Sequence, residues 1–184
     1  KEMNDFRKDI QSKLLLLGES IKKDNIPKLN QENGFKDKNI NIIDDGPNLV
    51  ITQPDEVLNS MDQWNTDHHN SSGLVQKVKE SHITESMAEK QTIEFLSKYV
   101  NKGSSPLCGN TICQDRRFLA RCMPDLESFC HYRSIDVSSI RELGKRWYFE
   151  DIDNFQKNSN HRALDDIRDS IDELRYYRKT IFKL

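Results

Sequence analysis

Leu164, Ile167, Ile171, Leu174 and Tyr177 recur at spacings of three and four near the C-terminus. A helix over this stretch gathers them in one apolar stripe. Such a stripe must be covered, so the chain has to supply a second layer against it. Asp165, Arg168, Asp169, Asp172, Glu173 and Arg175 take most of the opposite face. His161 and Asp166 stand just ahead of and inside this helix, about 140° apart at about 100° per residue. They can share a site only if His161 lies on the preceding loop, with Ser159 or Asn160 as the cap. That arrangement suits a metal-dependent hydrolase, in which the Asp holds a hard cation and the His takes a proton from water. Taken alone, the same residues also read as a helix cap and a solvated surface.

The second layer is expected to be a sheet. Lys13 to Gly18 reads as a short buried strand, and the polar text from Ser20 to Lys38 as loop. Residues 1–38 are therefore set apart as an atypical, poorly ordered segment before a domain spanning 39–184. Asn39–Ile43, the turn Asp44-Asp45-Gly46-Pro47 and Leu49–Thr52 suggest a hairpin. Val57, Leu58, Met61 and Trp64 form one helical stripe, followed by a polar loop from His68 to Gly73. Helices are expected at Leu74–Glu80, Ile83–Val100 and Asp115–Met123, the last ended by Pro124. Short strands are expected at Pro106–Asn110 and Tyr132–Val137. A helix capped by Ser138 or Ser139 would turn Ile140, Leu143 and Trp147 inward. Strands interleaved with helices imply an α/β sheet covered on its faces.

Composition narrows the function classes. A chain of 184 residues can build one real core. Its apolar runs are far shorter than the roughly 18 residues of a membrane span. Cys108, Cys113, Cys122 and Cys130 form no C-x-x-C pair and read as reduced packing residues of an intracellular protein. A net charge of −2 and a pI of about 6.2 argue against coating long duplex nucleic acid, which favours a basic surface.

Five stretches carry a family resemblance. They are Gly46-Pro47-Asn48-Leu49 through Met61-Asp62-Gln63-Trp64-Asn65; Ser72-Gly73-Leu74-Val75; Gly109-Asn110-Thr111 with Gln114-Asp115-Arg116-Arg117-Phe118-Leu119; His131-Tyr132-Arg133 with Ile135-Asp136-Val137-Ser138; and His161 to Ile167 with Glu173-Leu174 and Tyr176-Tyr177-Arg178. Together, from about residue 39 onward, they resemble the oligoribonuclease family, small 3′-to-5′ exoribonucleases of the DEDDh exonuclease group. The resemblance implies a ribonuclease-H-like mixed sheet with helices on both faces, and a homodimer. It implies two Mg²⁺ or Mn²⁺ ions on four carboxylates, of which Asp115 and Asp166 are two, with His161 as catalytic base. It implies degradation of very short RNA oligonucleotides, dinucleotides above all, to mononucleotides. By the same resemblance Trp64 and, from the partner, Tyr132 stack on bases. His69, Arg133 and the partner's Ser138 enclose the 5′ phosphate, and Thr111 keeps the hydroxyl of the family's usual Ser at the substrate. Aromatic stacking and an arginine fork on phosphate suit these tasks. Trp64 also fits a core helix stripe, and Tyr132 also fits strand packing. The compartment implied is intracellular, mitochondrial or cytoplasmic, with no membrane partner.

One family motif is missing: an Asp and a Glu two apart on the first strand, both aimed at the metals. Residues 1–43 contain no such pair, and the strand-like Leu14–Leu17 is apolar. Glu19 and Asp24 are the nearest substitutes, and Phe149 stands where Pro is usual. Three readings follow. Residues 1–38 misrepresent the native N-terminus of an active enzyme; or the chain is a catalytically impaired homologue that binds short nucleotides or only dimerises; or the ligands are rearranged. In each, the first strand is degenerate or altered.

Overall fold

The computed structural model describes residues 15–16, 42–148, 155 and 163–182. Among the described residues, three strands form one mixed sheet in the order β1 (Leu15–Leu16), β2 (Pro106–Gly109), β3 (His131–Asp136). β1 runs antiparallel to β2 and β3 runs parallel to it. β2 is the organising strand, because its side chains alternate between two faces. Leu107 and Cys108 are both fully buried, at 0% exposure, and each belongs to a different core.

On the Leu107 side lie α4 (Glu85–Ser97), α5 (Ile112–Cys122) and α6 (Pro124–Phe129). They contribute Ala88, Leu96, Ile112, Leu119, Leu126 and Phe129. On the Cys108 side lie α7 (Val137–Trp147) and α8 (Ala163–Thr180), contributing Val137, Leu174 and Tyr177. Helices thus cover both faces, as expected. The connection between the parallel strands β2 and β3 passes through α5 and α6, the crossover that a parallel pair requires. Thr84 caps α4 by accepting from the Met87 amide at 3.2 Å. Ala88 and Leu96 face inward, with Phe95 and Tyr99 packed against the same core.

Several local expectations are corrected. Residues 42–50 form no strand, and the described part of the expected hairpin is reduced to a single parallel bridge, Ile51 with Ile83. A two-stranded ribbon without a sheet to join is marginal in water. The stripe from Val57 to Trp64 is two helices, α1 (Asp55–Asn59) and α2 (Gln63–Ser71). Asp62 divides them and caps α2, accepting from the Asn65 amide at 2.9 Å. α2 runs on through His68 and His69, which were read as loop, and stops before Gly73. Gly73 takes φ 71°, a left-handed turn, into α3 (Leu74–Glu80).

Pro124 ends α5 but also starts α6, where its missing N–H costs nothing. α7 is capped by Asp136, which accepts from the Ser138 amide at 2.9 Å, not by Ser138 or Ser139. Leu143 and Trp147 of α7 are exposed, at 44% and 64%, where an inner face was expected. No described element covers that side of α7. In α8, Ile171, Leu174 and Tyr177 are buried as the stripe requires. Asp169 and Glu173, read as the solvated face, are buried too.

Candidate active site at the carboxyl ends of β2 and β3

The parallel strands β2 and β3 end together at Gly109 and Asp136, which pair in register. In open α/β sheets ligands bind beyond these carboxyl ends. Here the chain turns from each strand directly into a helix, β2 through Asn110 and Thr111 into α5, and β3 into α7. Thr111 is the one non-glycine residue with positive φ among the described residues, at φ 54°, ψ 34°. A β-branched residue in this region is strained by about 1–2 kcal/mol. Its backbone is held in place: the Thr111 amide donates to Asp136 Oδ1 at 3.0 Å and to Ser138 Oγ at 2.9 Å.

A polar network ties these turns to α8. Asn110 Nδ2 donates to Glu173 Oε2 at 2.8 Å and to Ser170 Oγ at 3.0 Å. Asn110 Oδ1 accepts from Ser138 Oγ at 3.0 Å. Ser170 Oγ donates to the Asp166 carbonyl at 2.8 Å, and Tyr177 Oη donates to Glu173 Oε1 at 2.7 Å. Glu173 is 1% exposed and Tyr177 0%. The network therefore fixes the register of α8 against the end of β2, and with it the backbone at Asp166. Periodicity along α8 could not reveal this, because Glu173 finds its partner on another element. A possible signal was the order of the resemblance motifs, where Glu173 stood beside Leu174.

The expected site residues are distributed as follows. Asp115 lies in the first turn of α5 and Asp166 in the first turn of α8, each partly buried. Carboxylates there also complement the helix dipole. His161, the expected catalytic base, lies outside the described residues. Trp64 and His69 sit on α2, which packs on α3. Trp64 is 70% exposed, and its ring stacks on His68 at 5.1 Å and 5° between planes. The core-stripe alternative for Trp64 is thus excluded. Tyr132 is 71% exposed on β3, so it is not strand packing either, and the Arg133 guanidinium lies 5.1 Å from its ring centre. Thr111 is exposed. Its hydroxyl is 3.2 Å from that of Ser138, and Ser138 is engaged with Asn110 and Thr111 inside the chain.

Among the described residues the donors for a two-ion centre are incomplete. Among the described residues no group of three or more His, Cys, Asp or Glu could hold a metal ion. β1 lies directly beside β2. A hard divalent cation needs several oxygen donors, and charge count sets much of its affinity. Asp115 and Asp166 alone do not meet that need.

An exonuclease family model, RNase_T, matches residues 22–174. The chain is 54% identical over 146 residues to the oligoribonuclease of Acinetobacter baylyi, spanning 79% of this chain and 80% of that protein. It is 57% identical over 145 residues to the oligoribonuclease of Ruthia magnifica, spanning 79% and 81%. It is 55% identical over 148 residues to that of Legionella pneumophila, spanning 80% and 79%.

Proposed function

The chain belongs to the oligoribonuclease family of exonucleases, and from that premise we propose that it degrades very short RNA oligonucleotides, dinucleotides above all, from the 3′ end. The observation that carries the reading is the length and strength of this similarity, which takes in both candidate carboxylates, Asp115 and Asp166. By resemblance it is a 3′-to-5′ exoribonuclease. Its own residues account for binding. The exposed Trp64, backed by His68, offers a flat face to a base, and the equally exposed Tyr132 offers one to the site of a second copy. Arg133 and His69 supply charge and hydrogen bonds to a terminal phosphate. Trp64→Ala should raise the dissociation constant of a dinucleotide about 5- to 150-fold, the equivalent of about 1–3 kcal/mol per stacked base. Fluorescence titration checks this.

Asp115 and Asp166 would be ligands of Mg²⁺ or Mn²⁺, which would supply activation of the attacking water, and His161 would be the base. A homodimer is part of the same proposal. Leu143, Trp147 and Tyr148 give an exposed apolar face that a second copy would cover. No helix among the described residues is long and apolar enough to cross a membrane. The bacterial relatives favour the cytoplasm over the mitochondrion as the compartment.

A second reading is favoured by the missing motif. Residues 1–43 hold no Asp and Glu two apart of the kind the family carries on its first strand, and without them this chain would bind short nucleotides, or only dimerise, without cleaving. Hydrolysis of a 5′-phosphorylated RNA dinucleotide with Mn²⁺ present decides between them. Cleavage that Asp166→Ala abolishes supports the enzyme. Tight binding without cleavage by either protein supports the impaired homologue.

A further inference from the structure

β3 does not pair evenly with β2. Pro106 pairs with His131, but the next residue, Leu107, pairs with Ser134. Tyr132 and Arg133 therefore form an excursion outside the ladder, as in a bulge that re-aims side chains. Both are exposed, with the Arg133 guanidinium over the Tyr132 ring and the His131 ring 4.4 Å from it. Backbone carbonyls that leave a ladder need other partners. Arg116 of α5 supplies one for Arg133 and holds both ends of the excursion. Its Nη1 donates to the His131 carbonyl at 2.9 Å, to Ser134 Oγ at 3.1 Å and to the Arg133 carbonyl at 3.3 Å. Its Nε donates to Glu127 Oε1 of α6 at 2.8 Å, with both side chains largely shielded. The Arg133 amide is also taken, by His131 Nδ1 at 3.0 Å.

We propose that Arg116, oriented by Glu127, is a positioning residue that clamps the Tyr132–Arg133 bulge in the shape that recognises a 5′-phosphorylated nucleotide. The inference rests on the reading of Tyr132 and Arg133 as nucleotide-binding residues. The guanidinium suits the task because its donors form a rigid planar fork. The lysine ammonium is a point charge on a flexible stem, and does not reproduce one group held between Glu127 and two carbonyls. A bulge free to shift by about 1 Å would misplace the Arg133 side chain, an error large enough to lose a phosphate contact.

The test needs no turnover. Full-length protein is titrated, in a metal chelator, with an RNA dinucleotide bearing a 5′ phosphate and with the same dinucleotide bearing a 5′ hydroxyl. The unmodified protein is expected to prefer the phosphorylated ligand. Arg116→Lys and the milder Glu127→Gln should cut that preference about tenfold or more. Affinity for the hydroxyl ligand should fall by much less, and circular dichroism should show both variants folded. Preference retained in both variants would overturn the clamp and leave the nucleotide-binding reading standing. An equal loss for both ligands would reduce Arg116 to a structural role and also overturn it. No preference in the unmodified protein would remove the reading of Arg133, and the clamp with it.

Discussion

Glu173→Ala is expected to destabilise the fold by about 3–5 kcal/mol, from buried donors deprived of this acceptor, at about 1–3 kcal/mol each, and from the cavity left behind. The carboxylate is 1% exposed and accepts from Asn110 Nδ2 at 2.8 Å and from Tyr177 Oη at 2.7 Å. Its removal leaves the Tyr177 hydroxyl, on a fully buried side chain, without this acceptor, and opens a cavity beside it. Against a typical stability of about 5–15 kcal/mol, that is enough to leave the protein marginal. Urea denaturation reads the loss directly. A double-mutant cycle with Tyr177→Phe assigns the share carried by this bond, expected to be about 0.5–1.5 kcal/mol for an intramolecular hydrogen bond. A Glu173→Ala protein within about 1 kcal/mol of the parent would mean that the network does not hold α8 to β2. The activity readout should follow stability here only in part. Ser170 and Asn110 also join α8 to the strand ends, and Asp166 stands one turn from Ser170.

What could be read from the residues divides along physical lines. The stripe Ile171, Leu174, Tyr177 was legible because burial on one helix face imposes a period that survives any context. The alternate burial of Leu107 and Cys108 follows from strand geometry, and the strand was visible between Pro106 and Asn110. Buried polar residues on α8 were not legible. Asp169 and Glu173 have the letters of a solvated face, and only a partner far away in sequence, Asn110 for Glu173, changes their meaning. The apolar face of α7 was legible as a stripe, but no pattern within a helix says whether another element covers it. Asp136 and Ser138 are both good caps, and the choice between them is made by the turn out of β3. The bulge at Tyr132 and Arg133 has no glycine or proline to mark it; it is visible only once the pairing of β2 with β3 is known. Asp166 was singled out by its place beside His161 at a helix start and Asp115 by family resemblance, and both fall in helix first turns.

Stability should fall steeply above pH 9. Burial pushes the Cys108 thiol up to about 12, with the Asp136 carboxylate adding to the effect, from an ordinary 9.0. Burial pushes Cys130 up to about 11, opposed by Arg116 and reinforced by Glu127. Both pKa values are higher in the folded state than in the unfolded chain. Between pH 9 and 11 the unfolded chain has lost both protons while the folded protein keeps them. The folded state then binds more protons, so stability declines as pH rises. At about 1.4 kcal/mol per pH unit for each thiol, the two together remove roughly 2.7 kcal/mol per unit, or about 5 kcal/mol by pH 11. Below pH 9 both states hold their protons, and these groups contribute no slope. Urea midpoints at intervals from pH 8 to 10.5 measure the decline. Cys108→Ala and Cys130→Ala should each lower stability at neutral pH through lost packing, yet each should halve the alkaline slope. That pairing separates thiol ionisation from general alkaline damage, which would leave the slope unchanged in the variants. A flat profile to pH 10.5 would mean that the two thiols are not shut away on β2 and at the start of β3. The same shielding predicts that a thiol-alkylating reagent at pH 8 labels the exposed Cys113 and spares the buried Cys108 and Cys130 until the protein unfolds.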